Sequence, residues 1–196
     1  MGKVIYSHNV SLDGYIEGPN GELDWAIVDE SLYRRFNELE NAIGAHLYGR
    51  RTYQSMAKAM LWASQDNAAP DYVAESARIW LDKPKFVFSK TLERVEWNST
   101  LVKDNVGEEI AKLKRQIDKD MYLAGANLAS SVIPLGLIDE YRLYVNSVVL
   151  GAGKAMFPRD GGTMPLRLEE VSRLGSGVVL LRYCQLGERH NDLPAS

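Results

Sequence analysis

The chain repeats one local pattern, in which a short apolar run is followed by a glycine and then by apolar residues at helical spacing. In one copy, residues 121–124 are apolar, Gly125 follows, and further apolar residues recur every three or four positions up to Leu135. A second copy places Gly49 between the short segment 45–48, which is apolar except for His46, and another helical stripe. The pattern predicts a strand, a tight turn and a helix, so it restricts the chain to folds in which strands and helices alternate.

The turns after the predicted strands are candidate anion sites. The first N–H groups of a helix have no partner within it, and the positive end of the helix dipole favours a phosphate there. The candidate residues are Gly125, Ala126, Asn127 and Leu128 in the first copy, Gly49, Arg50, Arg51 and Thr52 in the second, and Ser89, Lys90 and Thr91 after a third apolar run. Each segment has a structural alternative: a plain loop, a pair of solvated arginines or a simple turn.

The order of the predicted elements defines the fold class. It is strand, helix, strand, two helices, two strands, helix, strand, helix and then strands alone. Residues 166–171 and 178–183, separated by Gly175, Ser176 and Gly177, predict a closing antiparallel hairpin. We therefore expect a three-layer α/β fold with a mixed, mostly parallel sheet between helices, a single domain at 1–186 and a polar tail at 187–196. The three candidate anion sites then share the carboxyl edge of the sheet and can converge on one ligand.

Composition excludes several function classes. The net charge of −3 and the pI near 5.7 argue against a general nucleic-acid or anionic-membrane binder. No apolar run has the length of a membrane span, and Cys184 has no second cysteine with which to form an internal disulfide. The three histidines lack the spacing of metal ligands, so we expect no metal site. These features predict a cytoplasmic protein.

A long loop and an amphipathic helix follow the first strand. Residues 10–21 contain three glycines, a proline and an asparagine, which predicts either a functional cover or an idle connection. A stripe from Leu32 to Ile43 predicts a helix that Asp29 or Ser31 caps.

Five motifs in this order resemble the dihydrofolate reductase superfamily. The resemblance is closer to the branch of the riboflavin-biosynthesis reductase domain, the RibD C-terminal domain, and it covers most of residues 3–185. The motifs are SLDGYI from Ser11, LYGRRTY from Leu47, VFSKTL from Val87, YLAGANLASSVIPLGLIDEY from Tyr122 and VVLGAGKAMFP from Val148.

The resemblance implies NADPH as the hydride donor. It assigns residues 125–128 to the pyrophosphate. Ala126 stands where the family often has a second glycine, and its methyl group leaves the phosphate slightly less room to approach the backbone. It assigns Arg50, Arg51 and Thr52 to a phosphate at the helix start, and residues 89–91 to the adenosine 2′-phosphate. Because a guanidinium binds a phosphate bidentately, this set should favour NADPH over NADH.

The resemblance also implies that residues 10–25 close over the nicotinamide. A carboxylate at the start of the first helix would then contact the substrate, and Glu30, beside Asp29, is the candidate. Asp13 in the SLDG motif is the other candidate catalytic residue. Their structural alternatives are a helix-capping acid and a turn-forming residue.

These inferences together predict an NADPH-dependent reductase of a nitrogen heterocycle. The expected activity resembles that of the 5-amino-6-(5-phosphoribosylamino)uracil reductase of riboflavin biosynthesis. The alternatives are a dihydrofolate reductase and a non-catalytic nucleotide-binding module that acts through dimerisation. The final strands offer a face for a homodimer.

Overall fold

The computed structural model describes residues 1–157 and 162–186, and the predicted polar tail lies outside these residues. The strands are β1 Val4–Val10, β2 Tyr15–Glu17, β3 Ala45–Gly49, β4 Lys85–Phe88, β5 Ser99–Val102, β6 Met121–Ala124, β7 Glu140–Val145, β8 Lys154–Ala155, β9 Leu166–Arg173 and β10 Val179–Gln185. The helices are α1 Glu30–Ala42, α2 Arg50–Gln65, α3 Asp71–Asp82, α4 Val106–Gln116 and α5 Ala126–Val132, with two short 3₁₀ turns at Ile133–Leu135 and Gly175–Gly177.

Eight of the described strands form one sheet in the order β5-β4-β3-β6-β1-β7-β10-β9. Neighbouring strands from β5 to β7 are parallel, whereas β10 runs antiparallel to both β7 and β9. The predicted mostly parallel sheet with a C-terminal antiparallel hairpin is therefore confirmed.

Helices cover both faces of the sheet because successive side chains of a strand point to opposite faces. Leu47 packs in the core that contains residues of α4 and α5, and the adjacent Tyr48 packs in the core that contains residues of α2 and α3. On α1, Leu32 packs in a third cluster with Tyr144 and Leu180 of the C-terminal strands. The result is the predicted three-layer arrangement.

The first helix begins as predicted. Asp29 is its N-cap, and the Asp29 carboxylate accepts a 2.9 Å hydrogen bond from the Leu32 N–H. The cap satisfies one of the N–H groups that the first turn leaves without a helical partner.

Two strands are shorter than the residue pattern around them allows. The pattern of residues 95–102 allows a strand, but β5 begins only at Ser99, because Trp97 and Asn98 have positive φ angles of 56° and 54° and interrupt extended backbone. Residues 141–150 alternate and then become apolar, a pattern typical of a strand, but β7 ends at Val145. There the fully buried Asn146 turns the chain, because its side chain accepts from the Ile27 N–H and donates to the Tyr144 carbonyl.

A small second sheet pairs β2 with β8 in antiparallel register, with Tyr15 opposite Ala155 and Glu17 opposite Lys154. Gly153 makes the close approach possible, since a Cβ at this position would clash with the carbonyl oxygen of Glu17. The predicted loop 10–21 therefore contains the strand β2, which pairs with a segment far along the chain, β8.

Candidate functional site

The three predicted anion segments converge on one cavity of about 370 Å³ at the carboxyl edge of the sheet. The sequence-predicted residues that line it are Gly49, Arg50, Arg51, Thr52, Ser89, Lys90, Gly125, Asn127 and Leu128. Thr91 and Ala126 are not among its lining residues. The Thr91 N–H donates to the Ser89 hydroxyl at 3.2 Å, and Ala126 is buried at the start of α5. The convergence arises because parallel strands end at the same edge.

The cavity holds an excess of positive charge. Among the described residues, its cations are Arg50, Arg51, Lys90, Lys103 and Lys154, and its one lining carboxylate is that of Glu17. None of these six side chains forms an ion pair or a hydrogen bond with another described residue. Cations that have no protein partner in a concave site favour a polyanionic ligand.

The start of α2 is unusual for a helix. Arg50 and Arg51 occupy its first turn, no acidic residue accompanies them, and Gly49 at the N-cap provides no side-chain cap. The helix dipole disfavours cations at this end, so an anion between the guanidinium groups would remove an unfavourable interaction. This arrangement supports the interpretation of residues 49–52 as a phosphate segment.

The turn after β6 requires glycine. Gly125 has φ 107°, and a Cβ there would lie 2.5 Å from Oγ1 of Thr52. The Gly125 N–H donates a 2.9 Å hydrogen bond to Nε2 of His8. This N–H is therefore already used within the protein, and any anion at this turn must bind other groups.

His8 at the end of β1 is a part of the site that the sequence analysis did not identify. Burial, and secondarily the positive charge of Lys154, lower the pKa of His8 to about 4. At neutral pH the ring is uncharged, and Nε2 acts as the acceptor for Gly125. His8 also packs edge-on against Tyr6, at 5.3 Å between ring centroids. An isolated histidine in an apolar strand gave no signal for this role.

The two predicted catalytic carboxylates lie outside the cavity lining. Asp13 accepts hydrogen bonds from the Ser11 hydroxyl and from the N–H groups of Leu150 and Gly151. The Ser11 hydrogen bond first, and then the two backbone hydrogen bonds, hold the pKa of Asp13 below its usual value. Glu30 lies in the first turn of α1 and pairs with Arg34 at 2.9 Å.

Three charged lining residues were also not predicted. Lys103 follows the edge strand β5, and Glu17 and Lys154 belong to the β2–β8 pair. Lys103 follows a strand just as Lys90 does, so its position was a usable signal. For Glu17 and Lys154, only the pairing of two distant segments reveals the location.

Within residues 1–157 and 162–186, no group of three or more histidine, cysteine or acidic side chains could hold a metal ion. None of the described helices has the length and hydropathy needed to cross a membrane.

The structure is thus an α/β protein with a dihydrofolate-reductase-like fold, and a cationic cavity lies at its strand ends. The chain belongs to the RibD C-terminal domain family, whose sequence model matches residues 2–180. It is 37% identical over 184 residues to the uncharacterized protein YyaP of Bacillus subtilis, which covers 92% of this chain and 94% of the relative.

Solved structures agree on the fold. A Thermotoga maritima diaminohydroxyphosphoribosylaminopyrimidine deaminase/5-amino-6-(5-phosphoribosylamino)uracil reductase superposes with a TM-score of 0.65 and 17% identity, over 94% of this chain and 57% of that one. The chain thus spans little more than half of that bifunctional protein. Enterococcus faecalis dihydrofolate reductase, solved with NADP(H), superposes with a TM-score of 0.61 and 15% identity, over 94% of this chain and 96% of that one.

Proposed function

We propose that this protein is a cytoplasmic NADPH-dependent reductase of a nitrogen-heterocyclic compound of the riboflavin-precursor type. The observation that carries the proposal is the cavity lined by five cations that have no ion-pair or hydrogen-bond partner among the described residues. Family membership and the similarity to a reductase that acts on 5-amino-6-(5-phosphoribosylamino)uracil support the reaction class and the substrate class.

The cations fit the phosphates of NADPH by position. Lys90 and Lys103 follow the neighbouring strands β4 and β5, and Arg51 lies at the start of α2 beside them. We assign this group to the adenosine 2′-phosphate, together with Ser89 and Thr91. Arg50 and Thr52, with residues 125–128, are assigned to the pyrophosphate; within that turn, the Gly125 N–H is already bonded to His8.

When bound, NADPH supplies the hydride. The protein must bind the acceptor next to the nicotinamide, exclude water and provide a proton or an anchoring carboxylate. The β2–β8 pair covers the β1 end of the cavity, and Asp13 fastens that pair to residues 150 and 151. Asp13 then serves the reaction by positioning the cover. Glu30 is the proposed anchoring carboxylate for the acceptor.

A homodimer is part of this proposal. The outermost strand β9 leaves an edge without a partner strand among the described residues, and it exposes Leu168 and Val171 to 50% and 58%. An exposed edge of this kind favours association with a second copy.

The test is a titration of the purified protein with NADPH and NADH, followed by 5-amino-6-(5-phosphoribosylamino)uracil or dihydrofolate. We expect tighter binding of NADPH and its oxidation by the uracil compound. Lys58→Met, on an exposed position of α2 outside the cavity, is the control for general loss of a cation. Oxidation with dihydrofolate alone would reassign the substrate, and binding of neither dinucleotide would refute the function.

A further inference from the structure

The middle of the large sheet is partly exposed at one place, on the face that α1 covers. Strands β6 and β1 are central in the sheet, and on this face Tyr122 and Ile5 are buried. Toward the carboxyl ends of the two strands, and on the same face, Ser7, Asn9 and Ala124 are each partly exposed. Helices on both faces of a sheet ordinarily bury its central strands. The helical layer therefore leaves an opening above these three residues, which we call the β1 opening.

The β1 opening lies between α1 and α2. On one side, Phe36 of α1 packs edge-on against Tyr144 of β7, with 4.8 Å between the ring centroids. On the other side, Tyr53 of α2 belongs to the cluster against which Ala124 of β6 packs. Strand β1 lies between β6 and β7, so it forms the base of the interval between the two helices.

The polar side chains at this base have hydrogen-bonding groups to spare. The Ser7 hydroxyl has no hydrogen-bond partner in the part of the chain that the structure describes. The fully buried Asn146 fixes the orientation of Asn9: its Oδ1 accepts from the backbone N–H of Ile27, so its Nδ2 donates to the Tyr144 carbonyl and, at 3.3 Å, to Oδ1 of Asn9. The amide nitrogen of Asn9 therefore faces away from Asn146, and no described residue accepts from it.

Two neighbouring polar groups of one flat ring fit this pair of side chains. Ser7 and Asn9 are two positions apart, which is about 6.7 Å along a strand. An amide nitrogen only donates, whereas a hydroxyl donates or accepts. A ring carbonyl bound by the Asn9 N–H and an adjacent ring N–H bound by the Ser7 hydroxyl would satisfy both. These two ring groups together form the edge of a cyclic amide.

The β1 opening adjoins the cationic cavity. Gly125 directly follows Ala124 in the chain and lines that cavity. His8, between Ser7 and Asn9, accepts the hydrogen bond from the Gly125 N–H. A ring bound over Ala124 is therefore next to the end of the site that we assign to NADPH, as the transfer of a hydride between two bound molecules requires.

We propose that Ser7 and Asn9 recognise the hydride acceptor by the cyclic-amide edge of its heterocycle, with the Asn9 amide on the carbonyl and the Ser7 hydroxyl on the ring N–H. The inference rests on the proposed function and deepens it. It concerns the ring of the acceptor and not the substituents of that ring. Both a uracil and a pterin carry such an edge.

The experiment compares two probes by calorimetry, with and without saturating NADP⁺. They are 5,6-diaminouracil and 4,5-diaminopyrimidine, which has the two amino groups but no carbonyl. We expect the wild type to bind the uracil at least tenfold more tightly. Asn9→Asp places an oxygen opposite the ring carbonyl, so it should abolish this preference, and Ser7→Ala should reduce it several-fold. Asn67→Asp makes the same exchange on an exposed residue of the loop between α2 and α3, and it should retain the preference.

Equal binding of the two probes by the wild type would overturn the proposal, as would an unchanged preference in both Asn9→Asp and Ser7→Ala. NADP⁺ titration shows whether each variant is folded, because neither side chain lines the cationic cavity and the affinity should stay within about twofold. If Asn9→Asp fails to fold, Ser7→Ala decides alone, and an unchanged preference in that variant refutes the site.

A third probe, pterin, distinguishes the two ring systems. Tighter binding of pterin than of 5,6-diaminouracil, lost in Asn9→Asp, would support the recognition site and reassign the ring of the substrate. The proposed function fails separately. A wild type that prefers 5,6-diaminouracil through Asn9 but binds neither NADPH nor NADH would uphold the recognition site and refute the reductase.

Discussion

The Asp13 carboxylate accepts a 2.7 Å hydrogen bond from the N–H of Gly151, which lies 138 positions later in the chain. A second hydrogen bond of 3.1 Å comes from the N–H of Leu150, and a third of 2.7 Å from the Ser11 hydroxyl. One exposed side chain thus joins the loop after β1 to the loop before β8.

We expect Asp13→Asn to loosen the β2–β8 pair, because an amide offers one acceptor oxygen where the carboxylate offers two. Hydrogen exchange of residues 150–156 should accelerate, and the Kd for NADPH should rise several-fold. Because the pKa of Asp13 is lowered in the folded protein, the wild-type contact is present above the unfolded pKa of about 4 and is lost as the pH falls through the folded value. Asp24→Asn, an exposed acid in the loop between β2 and α1, is the control; equal exchange in both variants would contradict the prediction.

His8 should make stability depend on pH between about 4 and 6.5. The folded pKa is about 4, whereas an unfolded histidine titrates near 6.5, so the unfolded chain binds the extra proton in this range. The free energy of unfolding should therefore fall with decreasing pH, by up to about 3 kcal/mol from this group. Urea unfolding at pH 7, 5.5 and 4 measures the effect. His8→Gln keeps an acceptor for Gly125 but lacks the titration, so an unchanged pH slope in this variant would contradict the assignment.

Gly125→Ala should lower both stability and cofactor affinity. The new methyl group meets Thr52 Oγ1, and the residue has φ 107°, so the cost is about 1–3 kcal/mol. Gly21→Ala is a matched control, because Gly21 has φ 87° with open space around its Cβ position. Thermal unfolding and NADPH titration of both variants separate backbone strain from the contact with Thr52. Similar losses in the two variants would show that the contact is unimportant.

The discrimination between NADPH and NADH should reside in Arg51, Lys90 and Lys103. Alanine at any of these positions removes a charged partner of the 2′-phosphate, so we expect the Kd for NADPH to rise about tenfold and that for NADH to change little. Raising the ionic strength should weaken NADPH binding by the wild type more than by the variants. Equal losses for both dinucleotides would place these side chains elsewhere on the ligand.

Glu30→Gln tests the proposed anchoring carboxylate. If Glu30 binds the hydride acceptor, kcat/KM should fall at least tenfold while the Kd for NADPH is unchanged. Glu30 also pairs with Arg34 on the surface of α1, so Arg34→Met is the control for loss of that pair. The same small effect on activity in both variants would reduce Glu30 to a helix-surface residue.

Much of the fold follows from local pattern. The strand at 121–124 ends where its apolar run ends, and β4 ends at Phe88, directly before the predicted turn at Ser89. The stripe from Leu32 to Ile43 predicts α1 to within two residues. The convergence of residues 49–52, 89 and 90 with the turn at Gly125 follows from parallel strands that share an edge. These features depend on periodicity and turn chemistry, which a sequence displays directly.

The features that the sequence analysis did not find depend on distant pairs. His8 accepts a hydrogen bond from Gly125, 117 positions away in the chain. Glu17 lies opposite Lys154 only because β2 pairs with β8. The strand-like pattern of the sequence continues to residue 150, but β7 ends at Val145, and the next side chain, the amide of Asn146, forms hydrogen bonds with Ile27, Asn9 and Tyr144. No local propensity encodes such contacts, because each is decided by which segments the tertiary structure brings together.

The small β2–β8 sheet has a kinetic consequence. Its two strands are three and two residues long and are separated by more than 130 positions, so closing the chain between them is entropically costly and few contacts offset that cost. It should form after the large sheet has brought both segments together and should open independently of global unfolding, as regions of low local stability do. The β2–β8 pair, which we propose as the cover of the cavity, should then exchange between closed and open states while the eight-stranded sheet stays intact.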